Sequence, residues 1–232
     1  MEDFWVDNDG VRLHCLINGV ANELLPIVFV PGMLGRAENY KSEMEALVEH
    51  PSLAMSLRGR GQSDAPASGY TFDDYIGDIE AVINSYGWVR FYLLGFSAGV
   101  ALVVGYALRH PEKVAGLILG DSIPVNKKIP ARWVDQVAEY FPDYDAEVLR
   151  AMQAESEEVV LWDQLVNIQC PVLLMKGGAE GSMLSTENLD KYRELLTEVE
   201  VVIFLEAGHE LWKPTPDLYL QTIGDFLNEG FG

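Results

Sequence analysis

One pentapeptide carries the chemistry that the rest of the chain must support. Gly95-Phe96-Ser97-Ala98-Gly99 follows the apolar run Phe91–Leu94 and precedes Ala98–His110, a stretch rich in small and apolar residues that reads as a helix. A strand that turns at once into a helix lifts the residue at the bend above the sheet, and a serine there presents its hydroxyl as a nucleophile. The chain two residues to either side of such a bend lies too close to its neighbours for a Cβ, and glycine stands at both places. Ser97 also sits at the amino end of the helix, whose free amides can receive developing negative charge. The competing reading of the motif is a tight turn with Ser97 as a capping residue. A nucleotide-binding loop fits less well, because no G-x-G-x-x-G follows the first buried strand and no G-K-[ST] ending is present.

A serine hydroxyl needs a base to attack a carbonyl, and imidazole titrates in the right range. Of the four histidines, His14 lies in an early strand pattern, and His50 and His110 each end a helix directly before a proline, where capping is the plain reading. His209 differs. It lies in the short loop Glu206-Ala207-Gly208-His209-Glu210 after the β-branched run Val199–Leu205. In an open α/β sheet that loop falls at the carboxyl edge, where catalytic groups gather. His209 is therefore the expected base.

The third member should be a buried carboxylate that fixes the imidazole tautomer. Glu180, in the loop after Val172–Met175, gives the order Ser97, Glu180, His209, the order this architecture uses. Asp121, at the end of Val114–Leu119, is the alternative acid. Glu206 is nearer His209 in sequence but awkwardly placed on the same short loop. Donors for a tetrahedral oxyanion are expected from the backbone amides of Met33, after Pro31-Gly32, and of Ala98.

The elements that must position these groups alternate. Short apolar runs at Leu13–Ile17, Ile27–Val30, Leu53–Leu57, Phe91–Leu94, Val114–Leu119, Val172–Met175 and Val199–Leu205 read as strands. Helical patterns fall at Glu38–Glu49, from Thr71 to about Tyr86, at Ala98–His110, Thr186–Leu196 and Pro216–Asn228. This order implies an α/β fold with a mostly parallel central sheet covered by helices on both faces. The alternation breaks between Ser122 and Asn167, where three short amphipathic segments appear around Ala131–Tyr140, Asp145–Ala154 and Glu157–Val166. Residues 1–121 and 168–232 are thus expected to form the core, and 122–167 a small helical lid.

Composition bounds the partners. Thirty-six Asp and Glu oppose 16 Lys and Arg, a formal charge of -20 over 232 residues. Such a surface repels phosphate backbones and anionic lipid, which argues against nucleic-acid binding and electrostatic membrane docking. The acidic start lacks the basic and apolar regions of a secretory leader, and no apolar run approaches the roughly 20 residues of a membrane span. Two cysteines, Cys15 and Cys170, in apolar surroundings read as buried thiols. These features point to a cytoplasmic protein. No metal-ligand cluster is apparent and no cofactor is implied.

With these residues in place, nearly the whole chain resembles the α/β-hydrolase superfamily. Arg58-Gly59-Arg60-Gly61-Gln62-Ser63 resembles the superfamily's R-G-x-G-x-S segment, Gly95–Gly99 its nucleophile elbow, and Gly208-His209 its terminal Gly-His segment. The Gly-x-x-Asp acid loop falls on Gly177–Glu180, with Glu where Asp is commoner, and Pro31 replaces the usual histidine of the first loop. Some members take the acid from the end of the preceding strand, here Asp121. The resemblance implies a lid between the two acid loops, matching 122–167. Ser97, in place of the carboxylate used at the elbow by dehalogenases and epoxide hydrolases of this fold, implies acyl transfer to water through an acyl-enzyme.

The expected substrate is a small-molecule ester of small to medium, apolar character. Lactone hydrolysis, carbon–carbon bond hydrolysis, a lyase role with the same serine and histidine, and a ligand-binding scaffold are the alternatives. Leu34, Phe96, Trp133, Phe141, Trp162, Met183, Leu184 and Trp212, with Met33, are the candidate pocket walls. Arg36, Arg58 and Arg60 could attract an anion, but Arg58 and Arg60 read better as loop braces.

Overall fold

The computed structural model describes residues 1–141 and 144–228. Ten strands occur in chain order among them: β1 Glu2–Asn8, β2 Val11–Asn18, β3 Ile27–Val30, β4 Ser52–Met55, β5 Phe91–Phe96, β6 Val114–Gly120, β7 Val125–Asn126, β8 Val159–Val160, β9 Val172–Gly177 and β10 Val199–Phe204. Eight of them form one sheet in the order β1-β2-β4-β3-β5-β6-β9-β10. From β4 to β10 the neighbours are parallel, and β1 and β2 add an antiparallel edge. The sheet is therefore mixed, with its parallel part central. β3, β4 and β6 are buried along their whole length, which is why they read as continuous apolar runs without alternation.

The helices are α1 Lys41–Ala46, α2 Phe72–Tyr86, α3 Gly99–Arg109, α4 Ala131–Tyr140, α5 Ala146–Glu155, α6 Thr186–Leu195 and α7 Pro216–Asn228. Thr71 caps α2 through a reciprocal pair with Asp74: the Asp74 amide donates to the threonine hydroxyl, and the Thr71 amide donates to the Asp74 carboxylate. Gly87 ends that helix in the left-handed conformation at φ 78°. α3 lies against the middle of the sheet, and every residue from Gly99 to Ala107 is buried. The apolar side chains on the two faces of the sheet fall into two clusters, one on each side.

Some expected elements change form. Glu38–Glu49 is a 3-10 turn, Ala37–Tyr40, followed by the short α1. Glu157–Val166 is the strand β8, paired with β7, and a 3-10 helix at Trp162–Asn167. β1 was not expected, because its burial is confined mainly to Val6 and its outward residues are acidic or aromatic.

Between β6 and β9 the described residues form small helical insertions that resemble a lid. Polar ties bind them to the core: Glu155 accepts from the Gly69 and Tyr70 amides at 2.7 and 2.8 Å, and Tyr144 donates to the Leu34 carbonyl at 2.5 Å. Cys15 is buried and Cys170 half-buried, both as free thiols. No helix among the described residues is long and apolar enough to cross a membrane.

Candidate active site

Ser97 stands between β5 and α3 with φ 56°, a left-handed geometry that costs a non-glycine residue energy and so has to be imposed by its surroundings. Its amide donates to the Gly120 carbonyl at 2.9 Å, and its carbonyl accepts from the Val100 amide at 3.0 Å, so both sides of the bend are fixed. The flanking glycines have a steric cause. A Cβ on Gly95 would lie 2.5 Å from the Gly99 carbonyl oxygen, and a Cβ on Gly99 would lie 2.5 Å from that of Val30. The loop after β3 passes close by: a Cβ on Gly32 would lie 3.0 Å from the Ser97 Cβ.

His209 follows β10, as the sequence led one to expect, and its side chain is 26% exposed. Its ring stacks on Phe96 at 4.7 Å between centroids. The partner of its Nδ1 is the Asp121 carboxylate, at 2.9 Å. This corrects the preference for Glu180. Glu180 is exposed, in a shallow groove that His209, Glu206 and Lys213 also border, and has no hydrogen bond to His209.

The reason lies in the backbone. Asp121 follows β6 directly with φ 46°, and its amide donates to the Met175 carbonyl at 2.8 Å. That anchors it across the mouth of β9, in the direction of the β10 loop that carries His209. Asp121 is fully buried. It accepts from the Gly177 amide at 3.0 Å, the Ser182 hydroxyl at 2.6 Å and the Met183 amide at 2.8 Å, besides the imidazole. Burial alone would raise its pKa. The hydrogen bonds from His209, Ser182, Met183 and Gly177 outweigh burial and hold it below the ordinary 3.8. Ser182 was not foreseen; a hydroxyl two residues after Glu180 carries no distinguishing pattern in sequence.

The Met33 and Ala98 amides have no protein acceptor among the described residues. Met33 is held from behind. Arg60, only 2% exposed, donates to its carbonyl at 2.8 Å, to the Arg58 carbonyl at 2.6 Å and to the Tyr75 hydroxyl at 2.8 Å. Arg58 is buried in a two-point pair with Asp78, at 2.7 and 2.6 Å. Both arginines brace the loops, and neither borders the cavity. Arg36 is exposed beside Gly61, also away from it.

Ser97 and His209 open on one cavity of ≈ 770 Å³, within the size range of small-molecule sites. Met33, Leu34, Phe96, Trp133, Phe141 and Trp212 line it, six of the expected walls. Three others do not. Trp162 packs on Tyr192 with Lys191 over its face, Leu184 is buried in the core, and the Met183 side chain is exposed. Sequence position brought these residues near the acid loop, but the fold turns them away from the cavity. Tyr40, Glu43, Tyr219 and Leu220 also line it and were not anticipated. The remaining histidines serve structure. His14 is buried against Asp3 at 2.9 Å, His50 meets the Leu25 carbonyl at 3.3 Å, and His110 closes α3.

Known proteins agree with this architecture. Residues 26–151, more than half of the chain, match the model of the alpha/beta hydrolase fold. The chain is 26% identical to N-formylmaleamate deformylase of Pseudomonas putida, over 96% of this chain and 95% of that one. It superposes on an esterase of Exiguobacterium antarcticum with a TM-score of 0.80 and 19% identity, covering 97% and 98% of the two chains. Est816, described as an N-acyl homoserine lactone degrading enzyme, matches with a TM-score of 0.77 and 19% identity over 96% of this chain and 99% of that one. A serine held at a positive-φ bend between strand and helix, on a sheet of this order, thus has its place among known folds: the chain belongs to the α/β-hydrolase family.

Proposed function

We propose that the protein is a carboxylic ester hydrolase that works through an acyl-enzyme on Ser97. The observation that carries this reading is that a strained serine and a carboxylate-held imidazole both line one mainly apolar cavity. The Ser97 hydroxyl attacks the ester carbonyl while His209, through Nε2, takes its proton. Asp121 keeps the Nδ1 proton in place and balances the imidazolium that forms. The Met33 and Ala98 amides receive the oxyanion, helped by the amino end of α3. The tetrahedral intermediate collapses as His209 returns the proton to the leaving alcohol. Water then enters by the same route in reverse and frees the acid.

Residues 1–121 and 168–232 form the catalytic core in this reading, and 122–167 a lid whose Trp133 and Phe141 narrow the cavity. The lining favours small to medium apolar esters. The anionic substrate in the name of the Pseudomonas relative is not carried over, because no Lys or Arg borders the cavity among the described residues.

The test is labelling with a serine-reactive phosphonate, together with turnover of a panel of aryl esters and lactones. Label is expected on Ser97, with none in Ser97→Ala and a loss of ester turnover of about four to six orders of magnitude. An intact protein that takes no label at Ser97 and hydrolyses neither esters nor lactones would overturn the proposal.

A further inference from the structure

The wall of the cavity holds a carboxylate that the proposed mechanism does not use. Glu43 lies on α1, lines the cavity and is only 6% exposed. Its partners are its own backbone amide and the Tyr219 hydroxyl, on α7. Tyr40, beside it, gives its own hydroxyl to the Val30 carbonyl at 3.3 Å and so adds no donor to Glu43. An aromatic wall links this carboxylate to the reacting groups: His209 stacks on Phe96, Phe96 contacts Trp212 at 5.2 Å, and Trp212 contacts Tyr219 at 6.0 Å between centroids.

Physical chemistry makes this placement costly without a purpose. A buried carboxylate is ordinarily paired with a cation or held by several donors. Glu43 has neither. The cavity wall supplies no Lys or Arg among the described residues, and its other acid, Glu210, has the same sign. Burial accordingly pushes the Glu43 carboxyl up to about 6, so that near neutrality an ionised group stands in the wall of a mainly apolar cavity. A ligand that brings its own positive charge or strong donor would complete the site. A ligand that brings a second carboxylate there would be repelled.

Resting on the ester-hydrolase reading, we infer that Glu43, with Tyr219, is a specificity determinant that receives an ammonium group at the end of the substrate distant from the scissile ester. The competing role is structural, with the Glu43–Tyr219 hydrogen bond serving to tie α1 to α7. A structural tie would not distinguish substrates by their charge.

The experiment compares aryl alkanoates of matched, graded chain length that end in methyl, hydroxyl, carboxylate or ammonium. The ratio of kcat/KM for ammonium over methyl is the readout. A ratio of about tenfold or more, at the best length, is expected for the wild-type protein, with carboxylate the poorest ending. Glu43→Gln should bring the ammonium ratio to one or below. Tyr219→Phe should lower it less. Should Glu43→Gln not fold, the wild-type protein decides alone: a primary alkylammonium ion should inhibit turnover of the methyl-ended esters at least about tenfold more tightly than the equal-length alkylcarboxylate. A wild-type ratio of one or less at every length, a ratio that survives Glu43→Gln, or equal inhibition by the two ions would overturn the assignment. Those results with Ser97 labelled by phosphonate would leave the hydrolase reading standing; an unlabelled Ser97 with no ester turnover would remove that reading itself.

Discussion

Asp121 and Glu43 are both buried carboxylates within reach of one cavity, and their surroundings treat them oppositely. Asp121 stands where a strand ends, with two amides, a hydroxyl and an imidazole pointed at it. Glu43 stands on a helix with its own amide and one tyrosine hydroxyl for company. The first is held below its ordinary pKa and the second is raised to about 6. The count of donors separates them, since both have lost water. A carboxylate encircled by donors has a fixed charge and a fixed direction, the properties needed to orient an imidazole. One left nearly bare keeps its bonding capacity for something that enters from outside.

The sharpest way to break this comparison is Asp121→Asn. It should lower kcat for esters by about four orders of magnitude, as the amide stabilises the wrong tautomer of His209. A loss of less than tenfold would place the orienting acid elsewhere. The same variant changes the acid limb of stability. Because the folded pKa of Asp121 lies below the unfolded value, its contribution is present above about 3.8 and is lost as pH falls through the folded pKa. Urea unfolding between pH 7 and pH 3 should therefore show a smaller fall for Asp121→Asn than for the wild type.

Glu43 carries the opposite sign. With a folded pKa of about 6 against an ordinary 4.5, it favours the folded state below the lower value, and that advantage is lost as pH rises through about 6. A difference of that size between the folded and unfolded chain is worth about 2 kcal/mol. Glu43→Gln should lack this decline between pH 4.5 and pH 8 in the same unfolding measurement. An unchanged decline would mean that Glu43 is better solvated than its burial implies.

Ser182→Ala sharpens the role of the donors around Asp121. It removes one hydrogen bond to a charged acceptor, worth about 1.5–3 kcal/mol in such settings. Because the other three donors remain, kcat should drop by about tenfold, the lower end of that range. The smallest effect belongs to Glu180→Gln. An exposed loop acid with no bond to the imidazole should change kcat by less than about threefold, as surface substitutions do. A large loss there would revive it as the orienting acid.

Much of the scaffold was legible because it is local. Thr71 and Asp74 announce the start of α2, β3 matches its apolar run Ile27–Val30, and α4 and α7 match their amphipathic patterns to the residue. Regions of mixed signal were not. The Trp162–Asn167 turn has the residues of a helix but the length of a 3-10 segment, and β7 and β8 are two-residue pairings that no periodicity can mark. Glu43 did leave a trace. Tyr40, Glu43, Met44 and Leu47 share one face at helical spacing, and all four are buried, so an acid among apolar neighbours was visible. What it faced was not.

The chain alone determined where the proposed nucleophile stands. A glycine-flanked serine between an apolar strand and a helix meets its steric requirements within a dozen residues, with no reference to distant parts. The choice of the imidazole's partner belonged to the tertiary structure. Asp121 and Glu180 lie on loops after adjacent parallel strands, and the chain order of the three groups is equally satisfied by either. What separates them is the bond from the Asp121 amide to the Met175 carbonyl, a contact made across strands 54 residues apart in sequence, which turns one carboxylate inward while the other remains in solvent.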